Sequence, residues 1–75
     1  MDKLYVGEHC MPCKMTKDWL QENNIEVEII PGMQHIEEAK ALGIRSFPTL
    51  VLEKDNQLVQ GFENIKEYYG EDNYE

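Results

Sequence analysis

The chain has 75 residues, of which 41% are hydrophobic and 29% are charged, and this is the composition of a folded globular protein. Its length allows one domain over residues 1–75 and excludes a second catalytic domain or a large cofactor cavity. Seven basic against fifteen acidic side chains give a formal net charge of −8, which argues against binding to nucleic acid or to anionic membranes. The first residues hold an apolar stretch of only three, Leu4 to Val6, so we expect neither a signal peptide nor a membrane span, and a cytoplasmic protein.

The first part of the chain predicts a strand, a helix and a second strand. Residues 3–7 combine β-branched and aromatic side chains and end on a glycine, which favours a short buried strand. The helix that follows runs to residue 21 or 22, and its apolar side chains at helical spacing are Met15, Trp19 and Leu20. Residues 25–30 alternate apolar and acidic side chains, as a strand does when one face is buried and the other meets water.

The rest of the chain predicts a helix, a β-hairpin and a last helix. A short helix from residue 33 or 34 to residue 42 stops at Gly43, a C-cap. Residues 49–53 and 57–61 form the strands of a hairpin around a turn at 54–56. Residues 63–69 form the last helix, with Ile65 and Tyr68 or Tyr69 on its inner face, and the acidic residues 71–75 form a frayed tail. With a right-handed first crossover, the order βαβαββα gives an α/β fold, a four-stranded mixed sheet flanked by three helices.

The most informative local pattern is Cys10-Met11-Pro12-Cys13, between the first strand and the first helix. A thiol with its ordinary pKa of about 8.5 is mostly protonated and a poor nucleophile. At a helix N-terminus, unpaired N–H groups and the positive end of the helix dipole favour the thiolate of Cys10. Cys13 lies about one turn further on and can attack a mixed disulfide formed at Cys10. Pro12 fits the first helical turn, where its missing N–H costs no hydrogen bond, so the pattern predicts a working dithiol.

Structural thiols and metal ligands are the alternative interpretations of the two cysteines. A bridge across so short a loop would constrain the unfolded chain little. Zinc takes about four ligands, and only His9 and His35 add to the pair, so a metal site would require a dimer. We expect a monomer without a metal.

Two residues beside the cysteines are candidates for tuning the pKa of Cys10. His9 as an imidazolium would stabilise the neighbouring thiolate, although a histidine at such a position is more often simply an exposed loop residue. Lys14, like Lys17, is either a solvated charge or a positive group that favours the thiolate.

A second motif, Ser46-Phe47-Pro48-Thr49, opens the third predicted strand. With the C-x-x-C motif it resembles the thioredoxin superfamily, in its minimal, glutaredoxin-sized form. The resemblance implies a cis Phe47-Pro48 bond facing the dithiol. It also implies that the Phe47 backbone pairs with an extended substrate segment and that Pro48 keeps an N–H donor away from the thiolates.

Within that superfamily the chain is most similar to the NrdH-redoxins, glutaredoxin-like electron donors to ribonucleotide reductase. Thr16-Lys17 after the second cysteine and Gly61-Phe62 before the last helix carry this similarity. Glutaredoxins that use glutathione usually have Gly-Gly at the latter point, and Glu8 lies where a basic residue would help to hold a glutathione carboxylate. Phe62 is either a wall beside the dithiol or a hydrophobic contact beneath the last helix.

The resemblance implies a small thiol–disulfide oxidoreductase that reduces protein disulfides without a bound cofactor. Its electrons would come from NADPH through thioredoxin reductase, or from glutathione if the protein is a glutathione-dependent glutaredoxin, and ribonucleotide reductase is a candidate recipient. Met11, Phe47, Gly61 and Phe62 are expected to contact the substrate. A non-catalytic thioredoxin-like adaptor and a thiol metal carrier remain alternatives from other functional classes.

Overall fold

A computed structural model describes residues 1–73, and residues 74 and 75 lie outside the described part. Its strands are β1 (Lys3–Val6), β2 (Glu28–Pro31), β3 (Thr49–Val51) and β4 (Leu58–Gln60). Its helices are α1 (Met11–Glu22), α2 (Ile36–Leu42) and α3 (Phe62–Asn73), and a 3₁₀ turn, Gly32–His35, leads from β2 into α2. The predicted order βαβαββα is confirmed. No helix within residues 1–73 has the length and apolar character needed to cross a bilayer.

The four strands form one mixed sheet in the order β2-β1-β3-β4. β1 is parallel to β2 and antiparallel to β3, and β4 is antiparallel to β3. The registers place Val6 beside Pro31, Tyr5 beside Thr49, and Thr49 beside Gln60. The residues that follow β1, β2 and β4 and those that precede β3 therefore meet at one end of the sheet, which we call the dithiol end because residues 10–13 lie there.

Helices cover both faces of the sheet, and alternation along the strands divides the core into two clusters. The cluster beneath α1 and α3 consists of Leu4, Val6, Cys13, Leu20, Leu50, Leu52, Ile65 and Tyr69. The cluster beneath α2 consists of Tyr5, Ile30, Ala39, Ile44 and Val51. Burying one large apolar side chain contributes about 1.5–3 kcal/mol, so these clusters supply most of the driving force for folding.

Two tyrosine hydroxyls form hydrogen bonds between a helix and the N-terminal segment that includes β1. Tyr5 donates from β1 to a carboxylate oxygen of Glu38 on α2, and Tyr69 donates from α3 to Oδ2 of Asp2 over 2.6 Å. Burial, followed by the hydrogen bond to Glu38, raises the pKa of Tyr5 to about 12. The same hydrogen bond lowers the pKa of Glu38 below its ordinary value, because the bond favours the carboxylate.

The boundaries of β2 and of the predicted second helix differ from the predicted ones, and both hairpin strands, β3 and β4, are shorter than predicted. β2 begins at Glu28, three residues later than predicted, because the N–H of Ile25 donates to the Leu20 carbonyl over 2.9 Å and this segment still belongs to the exit from α1. The predicted second helix is divided, since His35 has φ −127° and ψ 39° and separates the 3₁₀ turn from α2. Its predicted end at Gly43 is confirmed by a left-handed φ of 89° and by N–H bonds to the preceding turn.

The last helix is longer than predicted. α3 begins at Phe62 and continues to Asn73, whereas the predicted helix ends at residue 69. Residues 71–73 therefore belong to the helix, residues 74–75 lie outside the described residues, and a frayed tail over residues 71–75 stays a prediction. The inner face is as predicted, because Ile65 and Tyr69 are buried.

Candidate functional site

Cys10 and Cys13 lie at the N-terminus of α1, at the dithiol end of the sheet. Cys10 is the N-cap residue, with φ −113° and ψ 103°, and its sulfur accepts a hydrogen bond from the N–H of Cys13 over 3.2 Å. The two sulfurs are joined as a disulfide, and the Cα atoms are 5.2 Å apart. The prediction that Cys10 opens the helix is confirmed, and its sulfur occupies the place where orphan N–H groups stabilise a negative charge.

The two sulfurs differ in their accessibility. Cys13 is only 2% exposed and belongs to the core cluster beneath α1 and α3, whereas Cys10 is half-buried at the surface of that cluster. The N–H of Gly7 donates to the sulfur of Cys13 over 3.4 Å, from the loop that joins β1 to the cysteines. A molecule in solution therefore reaches Cys10 first, and Cys13 is positioned to react with Cys10.

The Ser46–Thr49 loop faces the cysteines. The Phe47-Pro48 peptide bond is cis, as the resemblance implies, and the carbonyl oxygen of Phe47 lies 3.7 Å from the sulfur of Cys10. Two hydrogen bonds hold the loop: the Thr49 hydroxyl donates to the Ser46 carbonyl over 2.7 Å, and the N–H of Gly61 donates to the Pro48 carbonyl over 2.9 Å. The loop backbone is thus fixed beside the more accessible sulfur.

The other residues predicted to contact the substrate lie at the dithiol end of the sheet. Met11 is 66% exposed next to Cys10, and Pro12 is exposed in the first turn of α1. Gly61 has a left-handed φ of 89° and links β4 to α3. Phe62 is half-buried, and the ammonium of Lys66 lies 5.3 Å from the centroid of its ring. Met11 and Phe62 provide apolar surface on two sides of the dithiol end.

The two candidates for pKa tuning have different surroundings. His9 is exposed and adopts a left-handed backbone with φ 51° directly before Cys10. The ammonium of Lys14 pairs with Asp18 over 3.0 Å, one helical turn further along α1. Lys14 and Lys17 line one side of a shallow cavity of about 600 Å³ that is also bordered by both cysteines. Because Lys14 pairs with Asp18, part of its positive charge is neutralised within α1.

Among the side chains that the structure describes, those of residues 1–70, no three of histidine, cysteine, aspartate or glutamate are grouped closely enough to hold a metal ion. His35 lies in the 3₁₀ turn, where its Nδ1 is 3.5 Å from Oε1 of Glu38.

Comparison with known proteins decides the family. The family model of the glutaredoxins matches residues 3–59, which run from β1 into β4 and include both cysteines and the cis proline. The chain belongs to the glutaredoxin family. Members of this family are thiol–disulfide oxidoreductases, and the C-x-x-C pair of this glutaredoxin is bridged as that chemistry requires.

The relatives of this glutaredoxin agree with the predicted resemblance. Two proteins called glutaredoxin-like protein NrdH, from Lactococcus lactis subsp. cremoris strain MG1363 and subsp. lactis strain IL1403, are each 35% identical to it over 65 residues. Each alignment covers 83% of this chain and 88% of the relative. The crystal structure of the thioredoxin-like protein BC3987 superposes with a TM-score of 0.69 at 25% identity, covering 89% of this chain and 97% of that one. The α/β thioredoxin-like fold is therefore confirmed.

Sequence reasoning missed two residues that this glutaredoxin brings to the cysteines. The sequence predicts Gly7 only as the end of a strand, yet its N–H is a donor to Cys13. It places Thr49 in the Ser46–Thr49 motif at the start of a strand, without predicting that the Thr49 hydroxyl closes the loop that carries the Phe47 carbonyl. The position of Gly7 directly before the C-x-x-C loop is a usable signal, and the place of Thr49 in that motif is another.

Proposed function

We propose that this glutaredoxin reduces protein disulfides through a dithiol cycle in which Cys10 is the nucleophile. The Cys10 thiolate attacks one sulfur of the substrate disulfide, which forms a Cys10–substrate mixed disulfide and releases the other substrate sulfur as a thiolate that takes up a proton. The N–H of Cys13, 3.2 Å from the Cys10 sulfur, and the N-terminus of α1 favour the attacking thiolate.

In the second step Cys13 resolves the intermediate. Its thiolate attacks the Cys10 sulfur, the mixed disulfide breaks, and the second substrate sulfur leaves and is protonated. The products are a Cys10–Cys13 disulfide and a reduced substrate, so two electrons and two protons have passed to the substrate. The electrons travel on the two sulfurs alone, and the cycle needs no bound cofactor.

The observation that carries this assignment of roles is the difference in exposure. Cys13 is 2% exposed and Cys10 is half-buried at the rim, so a folded protein substrate can approach Cys10 and cannot approach Cys13. The N–H of Gly7 on the Cys13 sulfur supplies a donor to the thiolate that forms there before the resolving attack.

The loop opposite the cysteines serves, in this proposal, as the substrate platform. An extended substrate segment pairs with the backbone of Phe47, while Pro48 contributes no N–H that would compete for the thiolates. Met11, Gly61 and Phe62 contact the segment on either side, and Pro12 shapes the first turn of α1.

His9 and Lys14 raise the share of Cys10 thiolate in the same proposal. Lys14 places a positive charge close to the dithiol, partly neutralised by Asp18, and His9 adds one when it is an imidazolium.

We propose NADPH as the electron source, delivered through thioredoxin reductase in the cytoplasm, with ribonucleotide reductase as a candidate recipient. The preference over glutathione rests on Phe62, whose ring stands where glutathione-using glutaredoxins usually have a second glycine. Glu8 adds to it, since its exposed carboxylate repels a glutathione carboxylate. We propose that the protein acts as a monomer.

The test is consumption of NADPH in the presence of a protein disulfide substrate, run in parallel with thioredoxin reductase and with glutathione plus glutathione reductase. Turnover with the first system alone is the expected result, and turnover with the second alone would make the protein a glutathione-dependent glutaredoxin. Cys10→Ser and Cys13→Ser are a matched pair: the first should neither turn over nor bind substrate covalently, and the second should accumulate the mixed disulfide.

Two results would replace the proposed function. Full biological function of Cys10→Ser would end the enzymatic account in favour of an adaptor that uses the same surface. Copper or zinc retained in stoichiometric amount by the purified protein would favour a thiol metal carrier.

A further inference from the structure

The Phe47 ring lies against two glycines that come from other loops. A Cβ atom on Gly32 would overlap Cε1 and Cζ of the ring, and a Cβ atom on Gly7 would lie 3.0 Å from Cδ2. Interiors are packed at crystal density, so a side chain at position 32 and this ring cannot occupy the same space. The ring thus fills a place that a side chain at position 32 would block and that a side chain at position 7 would narrow by a few tenths of an ångström.

The reason for glycine at position 32 is space. The glycines with a left-handed backbone among the described residues are Gly43 and Gly61, and Gly32 has no such conformation. Gly32 is also buried, at the start of the 3₁₀ turn. An alanine there would meet no backbone strain, and its one defect would be the collision with Phe47.

The two glycines and Phe47 connect the three loops that meet at the dithiol end of the sheet. Gly7 lies between β1 and the cysteines, Gly32 follows β2, and Phe47 precedes β3. The Phe47 side chain packs against both core clusters, one on each face of the sheet. The position of its ring therefore couples the loop that carries its carbonyl to the loop that carries Cys10.

We propose that Gly7 and Gly32 are positioning residues of the dithiol site, forming a glycine seat whose hold on the Phe47 ring fixes the Phe47 carbonyl 3.7 Å from the Cys10 sulfur. The inference deepens the proposed function and rests on it for its catalytic meaning. Neither glycine touches the substrate, and both act through Phe47.

The fixed carbonyl has a definite effect on Cys10. Its oxygen carries partial negative charge, so it accepts a hydrogen bond from the Cys10 thiol and repels the Cys10 thiolate. It opposes the N–H of Cys13, which favours the thiolate from the other side. By fixing the Phe47 carbonyl, the glycine seat sets the balance between the reactive Cys10 thiolate and the protonated thiol. By fixing the Phe47 backbone, it also sets the position at which the substrate segment binds.

A graded set of alanine variants tests this inference. Gly32→Ala should unseat the ring and withdraw the carbonyl, which lowers the pKa of Cys10 by at least about half a unit and raises KM for a protein disulfide several-fold. Gly7→Ala should move both quantities in the same direction by less. Gly70→Ala is the matched control, because a Cβ atom there meets nothing within 4 Å, and it should change neither.

The pKa of Cys10 is measured from thiolate absorbance against pH in a Cys13→Ser background, where Cys10 is the titrating thiol. KM and kcat are measured separately with Cys13 intact, to show whether KM changes more than kcat. Rescue gives the decisive comparison. Phe47→Leu removes Cε1 and Cζ, the ring atoms that an alanine at position 32 meets, while it keeps apolar bulk. Phe47→Leu combined with Gly32→Ala should bring the Cys10 pKa and KM closer to the parent than Gly32→Ala alone.

Three results would overturn the inference. In the first, Gly32→Ala has the same Cys10 pKa and KM as Gly70→Ala. In the second, Gly32→Ala loses stability while its Cys10 pKa stays unchanged. In the third, adding Phe47→Leu to Gly32→Ala does not bring the Cys10 pKa and KM closer to those of the parent. If Gly32→Ala does not fold, folding of the double variant supports the seat and its failure to fold overturns it. Absence of turnover by the parent protein would refute the proposed function alone, since the titration does not depend on turnover.

Discussion

In the reduced protein, iodoacetamide should modify Cys10 much faster than Cys13. Cys10 lies half-buried at the N-cap of α1, and Cys13 is 2% exposed in the core cluster beneath α1 and α3. The two thiols are only three residues apart, so any large difference between them comes from the fold.

The expected ratio follows from three effects. If the helix N-terminus lowers the pKa of Cys10 from about 8.5 to about 7, its thiolate fraction at neutral pH rises about 15-fold. The thiolate itself becomes less nucleophilic as its pKa falls, with a Brønsted slope of about 0.4–0.5, and this lowers its rate constant about 5-fold. The net advantage of Cys10 over an unstructured cysteine is therefore about 3-fold. Cys13 must first be exposed by local opening, and an opening cost of about 3 kcal/mol slows it on the order of 100-fold. Together these effects give Cys10 an advantage of at least about 100-fold.

Timed quenching followed by tandem mass spectrometry measures this ratio. Tryptic cleavage after Lys3 and Lys14 leaves both cysteines in one peptide, and fragment ions that divide it between Met11 and Pro12 assign each modification. The same reaction in urea is the control, because unfolding should make the two rates similar. Equal rates in the folded protein, or a Cys10 that reacts more slowly folded than unfolded, would refute the assignment of Cys10 as the nucleophile.

Three further predictions concern stability. Tyr5→Phe removes the hydroxyl that donates to Glu38 and should lower the free energy of unfolding by about 1–2 kcal/mol in urea titrations, whereas Tyr68→Phe, the half-buried control, should change it little. The pKa of Tyr5 is about 12 in the folded protein and about 10 in the unfolded chain, so this stabilisation should be complete below pH 10 and be lost as the pH rises towards 12. Tyr5→Phe should therefore reduce the fall in the free energy of unfolding between pH 10 and 12. The same fall in the variant as in the parent would contradict this prediction. Gly43→Ala should cost about 1 kcal/mol because φ is 89° there, whereas Gly70→Ala, in the interior of α3, should stabilise by about 0.5–1 kcal/mol; the melting temperatures of the two variants should move in opposite directions.

Local patterns in the sequence predicted the elements well where one interaction determines them. The helix at the cysteines begins at its N-cap, and α2 ends at Gly43, because capping depends on a few adjacent residues. β2 shows where such patterns fail. Its start is set by its pairing with β1, whose first residue, Lys3, lies beside Glu28, and the three apolar or acidic residues before Glu28 have no strand beside them. The length of a strand is therefore partly a property of its neighbour.

The exposure of Ile29 has a similar origin. The alternating pattern predicts that Ile29 faces the core, and its register beside Leu4 does place it on the face covered by α1 and α3. It is nevertheless 43% exposed, because β2 is an edge strand and the helices do not reach fully over it. Ile30, on the opposite face, is buried beneath α2. Periodicity predicts the face of a strand residue, and the place of the strand in the sheet decides its burial.

In the candidate site, too, local sequence predicts some contacts of the Cys10 sulfur and tertiary packing determines others. The C-x-x-C spacing and the helix that follows it predict the donor to the Cys10 sulfur, because the N–H of Cys13 is only three residues away. The carbonyl of Phe47, which lies 3.7 Å from the same sulfur, is 37 residues away in the sequence and is held by glycines from two further loops. Local sequence thus determines what favours the thiolate, and tertiary packing determines what opposes it. Two glutaredoxins with identical C-x-x-C motifs can therefore differ in the pKa of their nucleophile, and the difference should be sought at the positions that face the residue before the cis proline.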